Sequence, residues 1–209
     1  AGVLDITTGL EGHWTFDVDA TDAGGNLRHG TLQNGVAINT TPSSNIIGGG
    51  KLRLDGTNDF VSLSAHASDF DNFTEGTISA WIRSTGGTQM ILSASNISDE
   101  DSDVSFRLDS SGHLEYDVFE DESSLLEVET TAVINDGTWH HVAVVIHAGD
   151  NTLYIDGLAA PIVYNQGNAS TSRFFDDMPN LDSMSIGRNE NDEGGRWFFS
   201  GFIRRCSCV

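Results

Sequence analysis

Lysine is almost absent from this chain. Lys51 is the only one, and the 209 residues carry 10 Lys+Arg against 31 Asp+Glu, a formal net charge of -21. Nucleic acid is therefore a poor partner, because a phosphate backbone needs a basic stripe to neutralise it. An anionic membrane surface is disfavoured on the same ground, and acidic polysaccharides are repelled unless a metal or a local arginine cluster intervenes. Cysteine is equally scarce. Cys206 and Cys208 are the only two; with one residue between them a bridge is badly strained, and no disulfide framework exists. Long apolar runs are missing too. Nothing approaches the roughly 20 residues of a membrane-spanning helix, so no membrane insertion is expected. Length compensates for the missing cross-links: a chain of this size buries roughly 70% of its unfolded surface and needs neither disulfide nor metal simply to have a core.

What is present reads as strand. Gly, Asn, Asp, Ser and Thr recur roughly every ten residues between short β-branched and aromatic runs, the spacing of an antiparallel sandwich. Thr77–Arg83 alternates Ile78, Ala80 and Ile82 against Ser79, Trp81 and Arg83. Ser105–Leu108 and His113–Phe119 flank Asp109-Ser110-Ser111-Gly112, a hairpin loop with Gly near its end. Asp55-Gly56 and Asp156-Gly157 are turn signals. Trp139–His147 is the most apolar strand. No linker or tandem repeat interrupts the chain, so residues 1–209 read as one all-β domain. Trp81 and Trp139 lie among apolar neighbours and read as core anchors. The acidity has two readings: a surface kept soluble in salty surroundings, or carboxylates gathered for calcium, which takes oxygen ligands. The chain starts with Ala1, as expected of a processed product or a module of something longer.

Specific motifs then enter in order along the chain. They are Gly9–Asp17 around Trp14, Asp22–Gly30, Leu54-Asp55-Gly56-Thr57-Asn58-Asp59-Phe60-Val61, Phe73–Ile82, Gly137-Thr138-Trp139-His140-His141-Val142-Ala143, Leu153-Tyr154-Ile155-Asp156-Gly157, Ser185–Arg188 and Phe199–Ile203. Each is weak alone. Together, covering nearly all the chain, they resemble the laminin-G-like, concanavalin A-like jelly-roll domains, related to pentraxins. The resemblance implies a two-sheet jelly-roll β-sandwich. It also implies extracellular or cell-surface recognition, of a glycan or polysaccharide, often as one part of a larger protein. The family carries the His140-His141 pair without any shared reaction.

The resemblance further implies calcium where the opening strand, the Gly-Asn loop and the final strand meet. It carries over to Asp17 and Asn26 as side-chain ligands and to a backbone carbonyl near His29 or Gly30, with Asp19 and Asp22 close by. The alternative is that Asp17 and Asn26 merely fix a turn. An enzymatic alternative lies in Glu115-Tyr116-Asp117-Val118-Phe119-Glu120. It is similar to the catalytic strand of laminarinase- and agarase-type glycoside hydrolases, with Glu115 as nucleophile, Asp117 as tuner and Glu120 as acid/base. A β-bulge is needed to bring all three to one face; without it Glu115 and Asp117 share a face and Glu120 points away. For glycan binding the candidates in or beside loops are Tyr164, Arg188, Asn189 and Trp197, with Phe174 and Phe175 nearby; rings stack on sugars while polar groups meet hydroxyls. A protein–protein adhesion domain, as in laminin and neurexin relatives, is the third reading.

The end of the chain departs from the resemblance. Such domains close on Ile-Asp-Asp/Glu-Val-Arg-Val-Tyr, whereas here Ile203 precedes Arg204-Arg205-Cys206-Ser207-Cys208-Val209. The codons CGA CGA TGT TCG TGT GTA encode those six residues; read one base later they encode Asp-Asp-Val-Arg-Val. A single-nucleotide frameshift is one expectation for the closing strand after Ile203, and a diverged tail is the other.

Overall fold

The computed structural model describes residues 9–41, 49–98, 102–120, 123–178, 180–191 and 194–209. Its strands begin with β1 Gly12–Trp14, β2 Thr31–Gln33, β3 Ala37–Asn39, β4 Lys51–Asp55, β5 Phe60–Ser62 and β6 Gly76–Ser84. They continue with β7 Gln89–Asn96, β8 Ser102–Leu108, β9 His113–Glu120, β10 Ser123–Val133, β11 His140–His147 and β12 Asp150–Ile155. The last are β13 Leu158–Ala159, β14 Ile162–Gln166, β15 Ser183–Ile186, β16 Asn189–Asn191, β17 Gly194–Arg196 and β18 Ser200–Cys208. Two eight-stranded antiparallel sheets result. The first runs β13-β12-β11-β6-β18-β4-β3 with β1 added to β18; the second runs β14-β10-β9-β8-β7-β15-β5-β2. A separate hairpin, β16-β17, lies outside both.

Alternation places the core between the sheets. Ile78, Ala80 and Ile82 of β6 meet Phe106, Leu108, Tyr116 and Val118 of β8 and β9 in one buried cluster. Turn chemistry sets the registers. Asp156 (φ 52) and Gly157 (φ 79) both adopt the left-handed conformation that a two-residue hairpin requires. Asp109 accepts hydrogen bonds from the amides of Ser111 (2.8 Å) and His113 (2.7 Å), closing the β8–β9 loop. Leu108 then faces Leu114 and Arg107 faces Glu115.

Two placements correct the sequence reading. Trp81 and Trp139 are half-buried on the outer face of the first sheet, not core anchors. Trp81 shares its parity with Ser79 and Arg83, the side opposite Ile78, Ala80 and Ile82. Phe174 and Phe175, expected near a ligand, are instead buried at 1% and 0% exposure in the core. Phe174 caps and Phe175 opens a short 3-10 turn, and their rings pack with centroids 4.5 Å apart. The tail forms a central strand. β18 pairs with β6, β4 and β1, with an irregularity between Arg204 and Ser207 and Arg205 at φ 47. Cys206 and Cys208 point into the core as free thiols.

Candidate functional site

The outer face of the second sheet is polar yet largely covered. Along β8 and β9 the side chains between the core positions are Asp103, Ser105, Arg107, Glu115 and Asp117. Single-chain carboxylates in such numbers are tolerated out of water only when hydrogen-bonded or paired. Each here has a partner. Asp103 accepts from Asn189 Nδ2 (2.6 Å) and Ser105 Oγ (3.0 Å). Glu115 accepts from Arg107 Nε at 2.8 Å and is ion-paired with Arg107 Nη2. Asp117 accepts from Ser124 Oγ at 2.8 Å and lies 3.7 Å from Arg107 Nη2.

The β16-β17 hairpin roofs part of this face. Ser93 and Ser95 of β7 donate to the carbonyls of Arg188 and Glu190, and Asn189 is fully buried. Arg188 pairs with Glu190 and its guanidinium sits 3.5 Å from the Phe60 ring centroid. The hairpin delivers Trp197 to the rim. Trp197 has φ 52, a costly backbone for a bulky side chain that persists only where surrounding contacts hold it; its carbonyl accepts from the Met90 amide at 2.9 Å. Two guanidiniums lie over its ring, Arg107 at 4.8 Å and Arg196 at 4.6 Å from the centroid.

Two hollows meet at Arg107 and Trp197. One, of about 310 Å³, is lined by Asp103, Arg107, Asp117, Phe119, Arg196 and Trp197. The other, of about 340 Å³, is lined by Arg107, Asp109, Glu115, Glu127, Glu129 and Trp197, among others. Burial opposes ionisation of the floor. It raises the carboxyls of Asp103 and Glu115 against the pull of their partners, and it pushes Asp117 up to about 7. Near neutrality the groove therefore offers both hydrogen-bond donors and acceptors, the mixture that polyhydroxyl ligands use.

The sequence candidates are distributed as follows. Asn189, fully buried, and Trp197 sit at the hairpin beside Asp103 and Arg107, whereas the Arg188 side chain packs on Phe60 and Glu190 and lines neither hollow. Tyr164 does not join them: it faces Val128 across β14–β10, on the core side of that edge. Glu115 and Asp117 share the groove face. The ladder of β9 on β8 is regular from Asp103–Phe119 to Leu108–Leu114, with no bulge. Glu120 therefore keeps the opposite parity, and the three carboxylates are not assembled for glycoside hydrolysis. Arg107, Asp103 and Arg196 were missed by sequence reading. The Arg107–Glu115 pair was within reach of it, because the Asp109–Gly112 loop fixes that register.

The calcium set fits poorly. Asp17 Oδ1 accepts from the amides of Gly49 (2.7 Å) and Gly50 (3.0 Å), with Arg204 Nη2 at 3.6 Å and Arg205 Nη2 4.0 Å from its other oxygen. Burial alone would raise Asp17, but those amides and the two guanidiniums hold its carboxyl below the usual range. Asn26 donates to the carbonyls of Leu10 (2.9 Å) and Glu11 (3.1 Å), and His29 Nδ1 accepts from the Asp22 amide at 3.1 Å. Asp22 itself is filled by the amides of His13, Gly24 and Arg28. Asp17 thus has its own protein partners, and a buried guanidinium stands beside this one carboxylate of the set. Among the described residues, one group of three carboxylate or imidazole ligands gathers within 4.8 Å: Asp109, His113 and Glu129.

An antiparallel two-sheet jelly roll with a polar groove on one outer face is the class that this geometry defines. Residues 55–206 match the laminin G family model described as the concanavalin A-like lectin/glucanases superfamily, and the chain belongs to that family. Three solved structures share the fold. Domain 4 of AbnA, an extracellular GH43 arabinanase from Geobacillus stearothermophilus solved with arabinotriose, has TM-score 0.68 and 18% identity, covering 95% of this chain and 91% of that one. The CBM40 of Ruminococcus gnavus IT-sialidase, bound to α2,3 sialyllactose, has TM-score 0.64 and 18% identity over 76% and 88%. A botulinum neurotoxin type C structure described with two ganglioside molecules has TM-score 0.63 and 12% identity over 98% and 48%. No curated protein matches the sequence. No helix among the described residues is long and apolar enough to cross a membrane.

Proposed function

We propose that this chain is a glycan-binding module of an extracellular or cell-surface protein, seating an oligosaccharide along the groove of the second sheet. The observation that carries this reading is Trp197, held at positive φ on the rim where two hollows meet, above a floor of hydrogen-bonded carboxylates. An aromatic plane beside fixed polar groups is how proteins hold sugars, whose rings present C–H faces and hydroxyl edges. Carbohydrate ligands on similarly folded modules support the reading. Binding needs no catalytic pair, and the ion pair that occupies Glu115 favours recognition over hydrolysis. The proposal places no calcium ion in the groove.

A neutral-glycan array, followed by titration of the best hit against wild type and Trp197→Ala, tests this. Retained folding with a tenfold or greater loss of affinity in the variant, about 1.4 kcal/mol, is expected. Binding that Trp197→Ala leaves unchanged, or no glycan bound by wild type, overturns the reading.

A further inference from the structure

We infer that the outer face of the first sheet is a second docking surface, for an anionic polysaccharide, on the side of the molecule away from the groove. Cations and rings alternate across its strands. Phe202 of β18 lies in register between Arg53 of β4 and Arg83 of β6. One step along, Trp81 lies between Arg204 of β18 and His141 of β11. Trp139 closes the first row, 6.3 Å from the Phe202 ring, and the only lysine, Lys51, places its ammonium 5.7 Å from that ring's centroid.

Charge complementarity sets the occupant. The chain has 10 Lys+Arg and a net charge of -21, yet Arg53 and Arg83 stand side by side on this one face, with Lys51 and Arg204 buried beneath it against the Thr41 carbonyl and Asp17. Arg53 and Arg83 are exposed, while Trp81, Trp139 and Phe202 are half-buried, each offering part of a ring to solvent. A shallow hollow of about 210 Å³ opens between Arg83 and Phe202. Guanidinium forks match carboxylate and sulfate groups, and ring faces match sugar C–H faces. Neighbouring strands lie about 4.8 Å apart, so a four-strand row spans roughly 14 Å, the length of a few pyranose units. Repulsion from the remaining carboxylates acts at longer range and is screened over about 10 Å at 0.1 M salt, whereas contacts on the face are not.

The test is affinity electrophoresis at about 0.1 M salt through gels containing dextran sulfate, polygalacturonate or plain dextran. Retardation by one or both polyanions, and not by dextran, is expected; which polyanion acts separates sulfate from carboxylate as the recognised group. Arg53→Ser/Arg83→Ser should weaken retention roughly tenfold, as two exposed charge contacts are lost. Arg173→Ser, a cation removed elsewhere, and Trp197→Ala should leave it intact, so this inference stands or falls apart from the groove. No retardation by either polyanion overturns it, as does equal retardation by dextran or full retention in the double variant. Concentration-dependent dimerisation abolished by the same double variant would assign the face to a second copy and likewise overturn it.

Discussion

The guanidinium of Arg107 lies over the ring of Trp197, 4.8 Å from its centroid, while its nitrogens are paired with Glu115 on the neighbouring strand. One side chain therefore ties the floor of the groove to its rim. The pair is mostly buried, so its net worth against an apolar replacement is small, but deleting one partner strands a charge at a cost of about 3–5 kcal/mol. Arg107→Ala should lower the melting midpoint sharply. Arg107→Ala/Glu115→Ala should recover most of that loss, and a double-mutant cycle measures the coupling. Additive losses would show that the pair is not energetically coupled.

Asp117 makes stability fall with rising pH. Its folded value, about 7, stands above its ordinary 3.8, so between these limits the native state binds more protons than the unfolded chain. The linkage slope is then negative: the protonated form is favoured at low pH, and the cost of ionisation is complete above the folded value, on the order of a few kcal/mol. Asp117→Asn can still accept from Ser124, and it should raise the melting midpoint at pH about 8 more than at pH about 5. Urea denaturation at the two pH values checks this; an equal effect at both would show that Asp117 titrates normally.

Calcium should leave the chain unaffected as it stands. Arg204 and Arg205 already place positive charge beside Asp17. Melting curves with millimolar calcium and with EDTA should coincide for wild type, whereas Arg204→Asp/Arg205→Asp should gain a calcium-dependent rise in midpoint. A rise in the unmodified chain would show that the ion is held despite the arginines.

Cys206→Val/Cys208→Val should fold with a midpoint close to wild type. Both positions face the core and valine is near cysteine in size, so the change should stay within about 1.5 kcal/mol. Valine is also what the shifted reading frame of this segment would place at both positions. Thermal denaturation in reducing buffer measures the difference; a loss beyond that range would mean that the pocket is shaped for sulfur.

Legibility in the sequence followed locality. Alternation and Asp-Gly turns are short-range signals, and they revealed the strands, the hairpins and the sandwich. The alternation of β6 even recorded that Trp81 shares a side with Arg83; apolar neighbours along the chain obscured it. Phe174 and Phe175 gave no such clue, because nothing local distinguishes a loop tucked under a sheet from one on its rim. Trp197, Arg188 and Asn189 stood out by composition. The union of Asn189 with Asp103 and of Trp197 with Arg107 depends on a hairpin folding back over β7 and β8, a contact that sequence spacing does not encode. Asp17 and Asn26 entered as calcium ligands through the resemblance; the Gly49 and Gly50 amides and the two guanidiniums beside Asp17 come from distant parts of the chain, which local sequence does not encode.

The inward-facing thiols of β18 turn the closing strand into a clock. Burial raises Cys206 far above its ordinary value and Cys208 to about 12, so neither presents thiolate to a reagent while the strand is in place. The cysteine end of β18 lies between β6 and β1, its pairing with β4 ending at Ile203. Disulfide exchange with an added aromatic disulfide would thus proceed only as fast as this end of β18 leaves the core, and its rate would report that opening without any label or mutation.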